Sequence, residues 1–441
     1  MNSGKSVKKN IVSLGIVQVA NLLFPLITLP LIARIIGPER FGVINYASSV
    51  IAYFVLIINY GFDMTATREV AQNKDNKEML NHIFSNVFYA KALLVLFSTI
   101  CFIPLLFYFP NLKDEKLVAV FSFLICFAWV ITPNWLYQGL QDLTKIALFN
   151  LFTKLFFTVA IVLIIRHADD YIWQPLIVSG SQLLVSIFSF YWAFKWYGIK
   201  LTAFNFSAVK KTLFDGRMIF LSLVTINLYS TTNIIILGLF ESVVHVGYYT
   251  AALKLIGVIR AIFFQPVNQS LFPFIGDAFG RNKNDGIEMI RKLMPVSMLF
   301  SFLFCLISYF LAPILIKLIF GSAYMESVLL FKILAFIPFI SNCSYFLGIQ
   351  TMINLKMDKQ FLFVTFMGAL VGFPLNLILV KFYGSVGCAV SWLVTELVIL
   401  VLFQVLLMKR DIHIITKKYF DVLFIKKTIV QIIQRKKTLT V

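Results

Sequence analysis

Six basic residues lie within or at the edges of long apolar runs: Lys91, Lys154, Lys254, Arg260, Lys317 and Lys332. A cation at mid-membrane depth costs several kcal/mol unless it faces water, a partner or a ligand. Lys317 and Lys332 are near enough to the ends of their runs to snorkel to the interface. Lys254 and Arg260 sit deeper, with Gly257 between them and Pro266 beyond, where a local bend can open a helix. A fixed ammonium and an arginine fork together suit phosphate oxygens. Lys91 and Lys154 form a second tier, either facing a cavity or pairing with a neighbouring carboxylate. Acidic groups are rarer. Glu396 and Asp63 are the clearest, placed to exchange H+ or Na+ or to neutralise a nearby lysine.

These residues need elements to hold them at depth, and composition says which. Hydrophobic residues make up 60% of the 441 and charged residues 13%, and Phe alone occurs 47 times. That balance belongs to an integral membrane protein. Apolar runs of roughly 20 residues recur along the chain, each long enough to cross about 30 Å of hydrocarbon as a helix. About twelve such spans are expected, from 11–33 to 386–408. The fold class is therefore all-α, with two six-helix bundles around a central cavity. The boundaries are an N-terminal lobe at 1–194, a basic linker at 195–217, a C-terminal lobe at 218–408 and a basic amphipathic tail at 409–441. The tail is expected to lie on the cytoplasmic leaflet, held by apolar contact and anionic lipid. With the N-terminus inside, the inner loops and tails carry about 27 Lys and Arg against about 6 outside, which puts both termini in the cytoplasm. The same bias accounts for the net charge of +19 without nucleic acid. The five cysteines lie in apolar stretches with no CxxC spacing, so neither a metal site nor a disulfide framework is suggested.

A cavity for a polar ligand needs polar stripes in apolar helices. At about 100° per residue, Gln18, Asn21, Pro25 and Thr28 share a face of the first span, and Asn45, Ser48, Ser49 and Asn59 a face of the second. Ser222, Thr225, Tyr229 and Asn233 do so in the seventh. In the eighth, Thr250, Lys254, Gln265 and Asn268 align, with Arg260 about 80° away. These are the first two spans of each half. "FGVINYASS" can moreover be laid over "VGYYTAALK" at a separation of about 205 residues, as expected of an internal repeat.

The stretch "PLITLPLIARIIGPERFGVINYASSVIAYFVLIINYGFDMTATREVA" resembles the N-terminal signature of bacterial polysaccharide flippases, of the multidrug, oligosaccharidyl-lipid and polysaccharide exporter superfamily. The match rests on Pro30, Arg34, Gly37, Pro38, Glu39, Phe41 and Gly42, then Gly61, Phe62 and Arg68. The resemblance implies transport of a polyprenyl-pyrophosphate-linked oligosaccharide from the inner to the outer leaflet of the bacterial inner membrane by alternating access. For that cargo Lys254 and Arg260, by their depth and charge, are the candidate pyrophosphate contacts, and the resemblance puts the motif with Arg34, Glu39, Arg40 and Arg68 among rim or gate residues. Membrane lipids and polysaccharide polymerase machinery are the implied partners. No cofactor is implied beyond a coupling ion, H+ or Na+, at Glu396 or Asp63.

Two alternatives stay open. A glycan polymerase or ligase would be expected to carry a larger outer loop with catalytic Arg or His, whereas the outer loops here are short. A drug exporter of the same superfamily would be expected to line its cavity with acids instead of cations. The topology is testable: a cysteine placed in "GSAYME" should react with an impermeant maleimide from outside, and one near Lys210 only after the membrane is opened. Reversed labelling would overturn the orientation.

Overall fold

The computed structural model describes residues 3–421, 424 and 426, and of residues 3–23, 25, 229, 230, 269 and 417 the backbone alone. Among the described residues there are helices and turns but no strand. This follows from the sequence, because a backbone in hydrocarbon must satisfy its N–H and C=O groups within its own segment. In chain order the helices are α1 (Ser3–Asn59), α2 (Phe62–Gln72), α3 (Lys77–Tyr108), α4 (Lys116–Phe123), α5 (Ile125–Ile131), α6 (Asn134–Gly139), α7 (Leu143–Ile164) and α8 (Trp173–Tyr197). They continue as α9 (Phe206–Ser230), α10 (Thr232–Phe240), α11 (Val243–Ile259), α12 (Gln265–Arg281), α13 (Lys283–Ile319), α14 (Ser327–Leu334), α15 (Ile337–Tyr345) and α16 (Asp358–Met408).

Among the described residues, nine helical stretches are long and apolar enough to cross a membrane, and the bent pair α9–α10 makes ten. Two of them fold back at a glycine. Gly37 breaks α1 at φ 73°, ψ 173°, and Gly384 breaks α16 at φ 54°, ψ −133°. These are conformations that glycine alone adopts at little cost. Counting each side of both breaks as its own crossing gives the twelve expected. At the first break Pro38 follows Gly37, so a residue with no N–H to lose opens the second arm.

The chain forms two compact units. The first comprises 1–227, 234–250 and 319–323, the second 228–233, 251–318 and 324–441. The first packs Phe62, Phe84, Trp135, Tyr137 and Phe149 into one core. In it, segments that follow odd-numbered spans converge: Glu39, Arg40, Asn111, Asp114, Glu115, Tyr171 and Val243 line one polar cavity of about 330 Å³. Segments that follow even-numbered spans meet too. Lys200 N donates to Asn81 Oδ1 at 2.8 Å and Thr202 N to Ser85 Oγ at 2.8 Å. At this end Tyr197 donates to Asp142 Oδ2 at 2.7 Å and Lys145 pairs with the same carboxylate. Burial alone would raise the Asp142 carboxyl, but these two partners outweigh it and hold the group below its ordinary value. The span ends thus alternate between two sides, as the loop charges require.

In the second unit the core contains Ile290, Met294, Phe346, Leu347, Ile399 and Phe403. The start of the 409–441 tail packs on it. Residues 412–416 have no regular secondary structure, Lys417–Phe420 form a 3-10 turn, and Ile412 and Ile414 are buried in that core. The expected interfacial helix is absent from this stretch because its apolar residues are taken up by protein instead of lipid; residues 427–441 lie outside the described residues.

The first unit also holds a close backbone contact. A Cβ on Gly42 would lie 1.7 Å from the Val243 carbonyl oxygen and 2.9 Å from Gly247 N. One on Gly247 would lie 2.0 Å from the Pro38 oxygen and 3.3 Å from Gly42 N. The contact is reciprocal. Pro38 and Val243 have the same sequence separation as Gly42 and Gly247, so the two copies of the proposed repeat meet through matching residues, as elements related by a two-fold axis do. Gly42→Ala or Gly247→Ala should force the backbones apart, at about 1–3 kcal/mol. Gly257→Ala, where a Cβ meets nothing within 4 Å, should leave the melting temperature unchanged or raised. A thermal scan of the three purified variants checks the contrast.

Candidate functional site

The two deep cations come together on one helix stripe. In α11, residues 251, 252, 255, 256 and 259 are buried, while Lys254, Gly257 and Arg260 are exposed in steps of three. The helix then changes pitch: Arg260–Phe264 is a π turn, placed just before Pro266, which has no N–H to give an α-helical ladder. A π turn adds roughly one residue, so positions beyond it rotate by about 100° relative to a straight helix. That corrects the expected stripe. Exposed Gln265 and half-buried Asn268 fall with Arg260 instead of with Lys254, and Thr250, 2% exposed, donates back to the Val246 carbonyl at 2.7 Å. Within the same unit, half-buried Glu396 accepts a hydrogen bond from Ser341 Oγ at 3.1 Å and lies within electrostatic reach of Arg260. The described arrangement therefore joins two cations, one carboxylate and two amides.

Lys91 has a different setting. It is 1% exposed, and its ammonium donates to Asn59 Oδ1 and to the Trp129 carbonyl, both at 3.1 Å, with Asp63 the charge that acts on it. The reason lies four residues beyond Trp129, at Pro133. A proline there has no N–H for the carbonyl of residue 129, and α5 ends at Ile131. Lys91 supplies the missing donor, so in this structure it bridges helices of the first unit. Asp63 itself is exposed. Lys154 is half-buried in α7, with a partner of its own.

The remaining candidates divide by surroundings. Asn45 is 7% exposed and donates to the Phe41 carbonyl at 2.6 Å, one turn back on its own helix. Asn233 is 4% exposed, and its carbonyl accepts from Cys388 Sγ at 3.5 Å. Both are packing residues in this conformation. The side chains of Gln18, Asn21 and Tyr229 lie outside the described residues.

Around the Gly37 break, Arg34 Nε donates to the Ile319 carbonyl at 3.3 Å. Exposed Glu39 lines the polar cavity together with Arg40, which pairs with Asp169 and stands 5.5 Å from the Tyr171 ring centre. Tyr171 in turn donates to Glu115 at 2.9 Å. Sequence reasoning found the arginines here but missed Asn111, Glu115, Asp169 and Tyr171, which come from two separate short connections with no shared spacing. Arg68 is exposed at the opposite span end, beside Glu69, with Asp215 and Lys211 within reach of that carboxylate.

Residues 7–279 match the family model described as "Polysaccharide biosynthesis protein". The chain belongs to this family. Across 90% of its length it is 28% identical to an Escherichia coli K12 protein named "Putative O-antigen transporter", covering 95% of that protein. A Shigella dysenteriae protein of the same name is 26% identical, with 90% of this chain and 98% of that one covered. Among solved structures it resembles an inward-facing multidrug resistance MATE family transporter of the MOP superfamily, at TM-score 0.71 and 14% identity over 90% of this chain and 97% of the other. It also resembles the lipid II flippase MurJ in an inward closed conformation, at TM-score 0.68 and 14% identity over 97% and 93%. The fold is thus that of MOP-superfamily membrane transporters. This member of the polysaccharide biosynthesis family is a multi-pass membrane protein.

For this family member, Lys91→Met should lower the melting temperature, since the buried Trp129 carbonyl then loses its donor at a cost of about 1–3 kcal/mol. Unchanged melting combined with lost export would instead place Lys91 on the transport path.

Proposed function

We propose that the chain moves polyprenyl-pyrophosphate-linked oligosaccharide repeat units from the cytoplasmic to the outer leaflet of the bacterial inner membrane by alternating access, for O-antigen or capsule biosynthesis. The observation that carries this reading is the exposed stripe Lys254–Gly257–Arg260 within a membrane-crossing helix. Cations exposed to hydrocarbon are costly, so a stripe bearing two of them belongs against water and an anionic ligand. A pyrophosphate is such a ligand: its oxygens accept from an ammonium and from a guanidinium fork at once. Family membership and the names of the relatives in Escherichia coli and Shigella dysenteriae support a glycan as the rest of the cargo.

Glu396 gives the reading a coupling element. A carboxylate within reach of Arg260 competes with phosphate for the guanidinium. Its protonation, or its occupation by Na+, frees Arg260 for the ligand, so ion and substrate binding are linked through one side chain. The polar cavity at Arg40 and Glu39 is the rim device of the opposite membrane face, and polymerase machinery takes the product there. A drug exporter is the weaker reading, because the deep groups on this stripe are cationic.

Lys254→Gln and Arg260→Gln, at equal protein levels, should each cut glycan export at least tenfold and cause lipid-linked repeat unit to accumulate on the cytoplasmic leaflet. Lys254→Arg should retain part of the activity, as the charge stays while the donor geometry changes. Normal export by the double variant Lys254→Gln/Arg260→Gln would show that the cations are structural.

A further inference from the structure

A second cavity, of about 240 Å³, lies wholly within the first unit, among α1, α4, α5 and α8. It is smaller than the roughly 300–1,000 Å³ of pockets for drug-sized ligands, and suits a single ring. Its polar lining is Ser48, Ser122, Trp129, Gln174 and Ser179. Ser122 is 6% exposed, and its hydroxyl is buried without a hydrogen-bond partner. Such a group is rare in a folded protein and asks for a partner. Ser179 donates to the Phe121 carbonyl at 2.7 Å, which leaves its oxygen free to accept. Gln174 offers both a donor and an acceptor. The other wall is aliphatic, from Ile51, Ile125 and Val178. Trp129, whose backbone carbonyl accepts from Lys91, also lines the cavity and brings an aromatic side chain to it.

We propose that this cavity is a binding site for one pyranose residue bearing a methyl group, as a 6-deoxy or an N-acetyl sugar does. The inference rests on the flippase reading and names the sugar class that the carrier presents. An indole face packs against the C–H face of a pyranose, the hydroxyls and amide take its O–H groups, and the aliphatic wall takes the methyl. Ser48 lies about 9 Å along the helix from Gly42, at 1.5 Å per residue, so the site is in the half of the membrane nearest the Arg40 rim.

The test uses the full chain with Cys101→Ala and a reporter at Ser48→Cys, the other native cysteines being buried. It is purified in a detergent with no sugar headgroup. Maleimide labelling of the reporter is timed with saturating rhamnose, N-acetylglucosamine, glucose or decanol. Rhamnose or N-acetylglucosamine should slow labelling at least threefold, glucose less, and decanol not at all. Ser122→Val/Gln174→Leu should abolish the protection. A reporter at Val55→Cys, on the same cavity, repeats the measurement if the first variant fails to fold. No protection by any sugar, or equal protection by decanol, would overturn the site, the latter marking it as a pocket for lipid chains. The two readings fail separately. If the wild-type chain restores surface glycan to cells lacking it while labelling stays unprotected, only the sugar site is wrong. If the chain restores none, the flippase reading falls with it.

Discussion

The structure depends on a contact without side chains. At Gly42 and Gly247 two helices approach so closely that a single methyl group on either would overlap the carbonyl oxygen of the other. In a membrane the hydrophobic effect does not drive helices together, so close backbone packing through small residues is a main source of association. The contact lies one turn after the Gly37 break, which sets the direction in which the second arm of α1 leaves the rim. Because Pro38 and Val243 repeat the relation of Gly42 and Gly247, one contact is made twice by a pair of similar sequences. Chain reversal, repeat pairing and the rim cavity with Arg40 therefore trace to the stretch "GPERFG" and its later counterpart.

The transport reading draws on a second constraint, that a broken helix leaves backbone groups needing partners. In the first unit the break before Pro133 is met by a buried ammonium, and Lys91 becomes structural. In the second unit the π turn before Pro266 has the opposite effect: it turns Gln265 and Asn268 onto the side of Arg260 and leaves two cations exposed. The same residue types, lysine beside a proline-bearing helix, end in different roles.

Much of the fold was legible in the sequence, because the membrane restricts the choice to helices and apolar length counts them. The turn at Gly37 was legible as well, since glycine followed by proline ends one helix and opens another. The site was less so. The stripe of Thr250, Lys254, Gln265 and Asn268 assumed an unbroken helix, and one inserted residue in the π turn redistributed it. For Lys91 the sequence left a cavity and a neighbouring partner both open, because nothing along its own helix shows that a proline 42 residues away removes a donor. The rim cavity drew on Asn111, Glu115 and Tyr171 from separate loops, which only tertiary structure brings beside Arg40. The tail was read as an amphipathic stretch on lipid, but at Ile412 and Ile414 its described start packs into the core of the second unit. Except for the π turn, which is local, a long-range partner absent from any local window decided the outcome.

The central claim is that the two copies of the repeat meet at their matching glycines. Glu39 and Val243 line one cavity at that contact. The direct measurement replaces both with cysteine, inserts a protease site in the 198–205 segment, and treats membranes with a short bifunctional thiol reagent before cleavage. The account predicts that the two fragments stay joined on a denaturing gel after treatment and separate when either cysteine is absent. Fragments that separate although both cysteines have been modified would contradict it.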